Sequence, residues 1–248
     1  MEINKNILEK EEIHGIWRII PSISISEIIS QSGYDFQILD CEHGGYDFRS
    51  LHADICACEL NNSIPFVRVS GLNKVEVQRC LDLGAKGIVF PQINTFQDFK
   101  DASELLMYSP VGTRGFNPFV RSNKFGINEN MLNAKPYCIT IVESLKAVEE
   151  IERIVEIENI DMIYIGSYDL SAQLNCIGDM ENDKLKKCID YIIACCVSAG
   201  KKVSLMVHTK KEYEFYKNKG VAGFVHAVES FKIKTYFNDS LNSFKKAM

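Results

Sequence analysis

The sequence predicts a single-domain (β/α)8 barrel of the α/β class, a TIM barrel, and three observations carry that prediction. Eight short apolar runs alternate with eight amphipathic stretches along 248 residues, the element count and length of that fold. The apolar runs are unbroken, as strands covered on both faces of a parallel sheet require. No shift in composition divides the chain, so residues 1–248 read as one barrel domain with an N-terminal leading helix. A doubly wound open sheet is the alternative with the same alternation.

The leading helix is polar and covers residues 5–10; residues 15–20 then form the first strand. Residues 26–32 carry helical periodicity and stop at Gly33, a residue type suited to closing a helix. The second strand is 36–40, apolar but for Gln37 until it ends in Asp40, and an amphipathic helix follows over 48–61. The third strand, 64–69, leads into a helix over 74–83 that ends at Gly84, where a left-handed residue can cap it. Strand four is 87–90 and its helix 95–107. A long irregular loop, 108–130, holds Pro110, Gly112, Gly115, Pro118 and Gly126. Strand five is 137–142, followed by a helix over 144–158; strand six is 162–165, with its helix at 184–199 before Gly200. Strand seven, 202–207, precedes a helix over 209–219 closed by Gly220. Strand eight is 223–227 and the last helix 230–246.

A net charge of −5 and a pI near 5.6 argue against a nucleic-acid surface. No apolar run approaches the roughly 20 residues that span a bilayer, so no membrane partner is expected. The first twelve residues are polar and mixed in charge, unlike a signal peptide. Nine cysteines include no C-x-x-C pair. Reduced packing cysteines in a cytoplasmic protein are the expectation.

In a barrel, reactive residues belong just past the C-terminal ends of the strands. Strand two ends in Asp40-Cys41-Glu42-His43-Gly44-Gly45, three ionisable side chains that no core accepts without partners. Strand three brings Arg68, four brings Pro91 and Gln92, and five brings Glu143. Strand six brings Gly166, Ser167, Tyr168 and Asp169, and seven brings His208; eight, ending in Ala227 and Val228, adds nothing reactive. Glu143 and Asp169, carboxylates after apolar runs on neighbouring strands, favour a hard divalent cation, Mg2+ or Mn2+. Capping of the following helices is the plainer role for each. Arg68, a cation in an apolar strand, needs an anionic partner: a substrate carboxylate, or an internal ion pair with Glu42 or Glu143.

Several segments together resemble the HpcH/HpaI family of metal-dependent, pyruvate-specific class II aldolases. They are Gly33-Tyr34-Asp35 leading to Asp40-Cys41-Glu42-His43, Val67-Arg68-Val69, Leu81-Asp82-Leu83-Gly84-Ala85 and Pro110-Val111-Gly112-Thr113-Arg114-Gly115. Val142-Glu143-Ser144 with Ala147-Val148, and Ile165-Gly166-Ser167-Tyr168-Asp169-Leu170-Ser171-Ala172, complete the set. The resemblance implies that Glu143 and Asp169 hold the metal, Mg2+ or Mn2+ with Co2+ or Zn2+ as further candidates, and that a keto acid chelates it. It implies that Arg68 stabilises the enolate, that His43 is the acid/base, and that Asp40 and Glu42 surround the metal's waters. The backbone at Gly166, Ser167 and Tyr168 would hold the pyruvate carboxylate. Asp82 matches the acid that pairs with the histidine; in its own barrel it lies at the wrong end. It would therefore reach a His43 only across a subunit interface, in a homo-oligomer between dimer and hexamer.

The sequence also departs from that pattern. Ile141 stands where the family often has Gln, Ser167-Tyr168 where Pro-Ala is frequent, Gly45 where proline is common and Asn117 where a second loop glycine is common. These changes bear on the aldehyde side. The expected activity is aldehyde-lyase cleavage of a 4-hydroxy-2-keto acid to pyruvate and an aldehyde, or the reverse. A phosphoenolpyruvate- or oxaloacetate-using mutase, lyase or decarboxylase, or a non-catalytic barrel, is the alternative. The 108–130 loop, with Arg114, Arg121 and Lys124, would meet either the acceptor or another subunit.

Overall fold

Each apolar run becomes a parallel strand: β1 (Ile13–Arg18), β2 (Phe36–Asp40), β3 (Ile64–Arg68), β4 (Gly87–Phe90), β5 (Tyr137–Val142), β6 (Met162–Ile165), β7 (Lys202–Met206) and β8 (Gly223–Val228). They pair in sequence order and β8 returns to β1, closing the barrel. The structure is a computed structural model that describes residues 7–126 and 135–245. The helices are α1 (Ile23–Gln31), α2 (Phe48–Leu60), α3 (Lys74–Asp82), α4 (Phe96–Leu105), α5 (Leu145–Glu149), α6 (Ile151–Ile154), α7 (Ser167–Gln173), α8 (Asp183–Ser198), α9 (Lys210–Lys217) and α10 (Glu229–Lys245).

Two apolar layers hold this arrangement. Inward residues including Phe36, Ile38, Phe66, Val89, Ile139, Met162 and Val225 fill the barrel, each almost fully buried. Outward residues such as Leu39, Val67, Ile88 and Ile163 pack beneath the helices. This alternation follows from the period of two along a strand and leaves no solvent face, which is why the runs read as unbroken.

Four boundaries differ from expectation for identifiable reasons. β1 starts at Ile13, whose N–H donates to Ala222 O at 2.8 Å. It stops at Arg18 because the next two N–H groups, of Ile19 and Ile20, donate to Glu229 Oε1 at 2.7 and 2.6 Å. α1 begins early because Ser22 caps it. The single helix expected over 144–158 divides at Glu150, which ends α5 and precedes α6. Of the expected leading helix only a 3-10 turn, Ile7–Glu9, lies within the described residues.

Residues 108–126 follow the end of α4 and precede β5, so they lie on the N-terminal rim, away from the strand C-termini. Its contacts agree: Arg121 Nη1 donates to Leu83 O at 3.0 Å, Arg121 pairs with Glu59, and Arg114 pairs with Asp82 at 3.0 Å. Contact with an acceptor in its own barrel is thereby ruled out for residues 108–126. The expected extension through 130 lies outside the described residues.

Candidate active site

Strand register makes the first contact. β2 and β3 align Asp40 with Arg68. Arg68 Nε donates to Asp40 Oδ1 at 2.8 Å and Nη2 to Oδ2 at 2.5 Å, a bidentate pair. Nη1 faces Glu42 Oε2 at 2.9 Å, and the guanidinium lies over the Trp17 ring, 4.4 Å from its centroid. Burial pulls the Arg68 guanidinium down, but Asp40, Glu42 and Glu143 together hold it above its ordinary value. The internal ion pair expected of Arg68 is present, with Asp40 as its main partner rather than Glu143.

Asp40 also shapes the turn that follows it. Its Oδ1 accepts from the N–H groups of Glu42 and His43 at 3.0 and 3.2 Å. Gly44 is needed there because a Cβ would sit 2.2 Å from the Asp40 carbonyl oxygen. The turn projects His43 outward, its side chain 70 % exposed and its Nε2 3.8 Å from Glu42 Oε2.

Glu143 follows β5 and is buried. Its Oε1 accepts from the Gln92 N–H at 2.5 Å, while Gln92 Nε2 donates to Glu42 Oε1 at 2.5 Å. Gln92 makes both bonds from a left-handed backbone, φ 55°, which costs a non-glycine residue energy and recurs at functional sites. Burial first, then the charges of Asp169 and Glu42, push the Glu143 carboxyl up to about 7. Capping explains neither predicted metal ligand. Ser144 caps α5 through the Ala147 N–H, and Gly166 is the N-cap of α7, leaving Asp169 in the first turn.

Gly166 shows how tightly these two strand ends meet. β5 and β6 align Val142 with Ile165, and a Cβ on Gly166 would fall 2.5 Å from Glu143 Cβ. Gly166→Ala is therefore expected to displace Glu143 and cost about tenfold or more in activity; a melting temperature within a few degrees of wild type would separate this from global damage.

These groups line one cavity of about 470 Å3 at the C-terminal ends of the strands, with Asp40, His43, Arg68, Glu143, Gly166, Ser167, Tyr168 and Asp169 on its wall. Ile141 faces the same space as Glu143, as strand period predicts. Asp82 is elsewhere: at the end of α3, paired with Arg114 on the opposite rim. Among the described residues, no group of three or more His, Cys, Asp or Glu is arranged to hold a metal ion. The donor chemistry nevertheless suits a divalent cation. Asp40 and Glu42 pair with Arg68, while Glu143 lies close enough to Asp169 and Glu42 to feel both charges, so carboxylates outnumber the cations here.

Two parts of the site escaped sequence reading. Trp17 donates to the Tyr164 hydroxyl at 2.9 Å and forms the cavity floor under Arg68; a lone tryptophan and a tyrosine inside strand runs were the available signal. Glu229, just after β8, is 2 % exposed and holds Ile19 and Ile20 at the cavity edge. Buried Arg18 lies 3.7 Å from Glu229 and pairs with Asp54 at 3.4 Å.

The model of the HpcH/HpaI aldolase/citrate lyase family matches residues 15–231. A 2-keto-3-deoxy-L-rhamnonate aldolase of Klebsiella pneumoniae is 31 % identical over 201 residues, covering 79 % of this chain and 75 % of that protein. The crystal structure of an HpcH/HpaI aldolase/citrate lyase family protein from Burkholderia cenocepacia superposes with a TM-score of 0.91 at 27 % identity, covering 96 % of each chain. The citrate synthase SbnG superposes at 0.86 with 28 % identity, covering 95 % of this chain and 94 % of its own. A family match over most of the chain, together with an aldolase relative above 30 % identity, is a shared ancestry and not merely a shared barrel: this chain belongs to the HpcH/HpaI aldolase/citrate lyase family.

Proposed function

We propose that this protein is a divalent-metal-dependent aldolase, cleaving a 4-hydroxy-2-keto acid to pyruvate and an aldehyde or condensing the two. The observation that carries the reading is the buried, uncapping Glu143 carboxylate, which shares its cavity with Asp169 and Arg68 and bonds through Gln92 to Glu42. Glu143 and Asp169 would hold the cation, with Mg2+ or Mn2+ suited to an all-oxygen donor set. When bound it would supply Lewis-acid polarisation of the keto oxygen.

The remaining work falls to the chain. Arg68, fixed by Asp40 and stacked on Trp17, offers positive charge where the enolate's negative charge develops. The Gly166 N–H donates to Val142 O at 3.0 Å, so the Ser167 and Tyr168 N–H groups, at the start of α7, would receive the keto-acid carboxylate. In cleavage the C3–C4 bond breaks, its electron pair passes to C3 as the pyruvate enolate, and the C4 hydroxyl proton leaves to His43. C3 then takes a proton to give pyruvate, and the C4 fragment departs as the aldehyde.

Among the described residues the His43 ring has Glu42 at 3.8 Å as its ion-pair partner, and Asp82 is proposed to serve the His43 of a neighbouring subunit in a homo-oligomer. Inactive Asp82→Asn and His43→Ala proteins, mixed and allowed to exchange subunits, are then expected to recover part of the activity. A fully active monomer by light scattering rules that arrangement out. The reaction itself is tested by chelating the protein, restoring Mg2+ or Mn2+, and incubating it with pyruvate and an aldehyde panel. Metal-dependent adducts of the expected mass support the aldolase, and their absence with every aldehyde sinks it. A second reading is decarboxylation of oxaloacetate, whose C3–carboxylate bond breaks to give carbon dioxide and the same pyruvate enolate; carbon dioxide release with no aldehyde adduct distinguishes it.

A further inference from the structure

The cavity continues beyond the keto-acid end. In the closed barrel the ends of β7 and β8 stand across from β3 and β4. They and the residues after them contribute Met206, His208, Ala227, Val228, Ser230 and Phe231 to the wall. Of these six, only His208 and Ser230 carry hydrogen-bonding side chains. A substrate held by its first carbons at Gly166 and Arg68 would have this wall beside its remaining carbons.

His208 is built to meet them. Its backbone N–H donates to Glu212 Oε2 at 2.7 Å, and the Glu212 N–H donates to Oγ1 of Thr209, the cap of α9, at 3.2 Å. The residue therefore rests on a pinned helix start rather than a free loop. Its ring Nε2 lies 3.3 Å from the Tyr168 hydroxyl, which reaches over from α7. Both side chains are solvent-facing, Tyr168 being 50 % exposed, and a surface hydrogen bond of this kind contributes little to stability. The core does not need the pair.

His208 also lines a second cavity of about 300 Å3 between α8 and α9, which shares Ile165, Ser167, Met206 and His208 with the first. Lys186 and Lys211 lie on its wall together with Glu181 and Glu212, and Lys186 pairs with Glu181 at 2.6 Å.

We propose that Tyr168 and His208 are the acceptor-specifying pair: their hydroxyl and imidazole bind an oxygen on the aldehyde half and select oxygen-bearing aldehydes over alkyl ones. This rests on the aldolase reading above. It gives the Tyr168 side chain a role separate from its backbone, and gives His208 a role in specificity without one in enolate formation.

The test compares kcat/KM for condensation of pyruvate with glyceraldehyde, succinic semialdehyde and butanal in metal-loaded protein. Wild type is expected to prefer one of the two oxygen-bearing aldehydes to butanal. In His208→Ala that preference is expected to fall about 10- to 100-fold, the usual consequence of removing a specificity hydrogen bond. Tyr168→Phe shifts it in the same direction, and His208→Gln, which keeps a hydrogen-bonding amide, restores part of it. A preference unchanged within about twofold in His208→Ala and Tyr168→Phe overturns the proposal, because such a bond is worth more than that. Wild-type protein that exchanges no pyruvate protons with solvent overturns the underlying aldolase reading instead.

Discussion

Replacing Arg68 with alanine is expected to lower turnover by about 100- to 1000-fold, because it removes a preorganised positive charge beside the forming enolate. The same change leaves Asp40 and Glu42, buried partners at 2.5 and 2.9 Å, without their counter-ion. Breaking a buried pair from one side costs about 3–5 kcal/mol, so urea unfolding should shift with activity. Arg68→Lys separates the two effects. It keeps the charge but loses the fork that matches Asp40 and the flat stacking on Trp17, so stability returns further than turnover does. Turnover of Arg68→Ala within a few-fold of wild type would remove Arg68 from the chemistry.

Glu143→Gln should abolish metal-dependent turnover, a loss of several orders of magnitude, yet stabilise the chelated protein. The folded carboxyl is pushed up to about 7 from its ordinary 4.5, chiefly by burial. Between those values the native state binds more protons than the unfolded chain, so stability falls as pH rises through the window. Above it the buried charge exerts its full cost, on the order of 1–3 kcal/mol. Glutamine removes that charge while its amide oxygen can still accept from the Gln92 N–H. The gain in melting temperature should be greatest above pH 7 and fade towards pH 4.5. A loss of stability at high pH would instead make Glu143 a structural residue.

How much of this the sequence reveals depends on the range of the interaction. The barrel follows from local signals, since unbroken apolar runs and amphipathic stretches need no knowledge of distant partners. The rim residues follow from the barrel, because a strand end fixes which face a side chain serves. Partnerships are different. That Arg68 would fork onto Asp40 depends on a β2–β3 register, and that Gln92 would join Glu42 to Glu143 depends on a left-handed backbone. Neither is written in the local pattern. Glu229 stands just outside the helix expected over 230–246 and carries no local signal, yet it binds the end of β1 some 210 residues away. The 108–130 loop was legible as irregular, while the rim it occupies followed only from the element order.

The most direct test of the account needs no acceptor at all. An enzyme that forms the pyruvate enolate must exchange the pyruvate methyl protons with solvent deuterium, which proton NMR follows as loss of the methyl signal. The account predicts exchange by wild-type protein with Mg2+ or Mn2+, loss of exchange on chelation, recovery on metal return, and a fall by orders of magnitude in Glu143→Gln and Arg68→Ala. No exchange with any divalent metal, or exchange that persists through chelation and in Glu143→Gln, would contradict it.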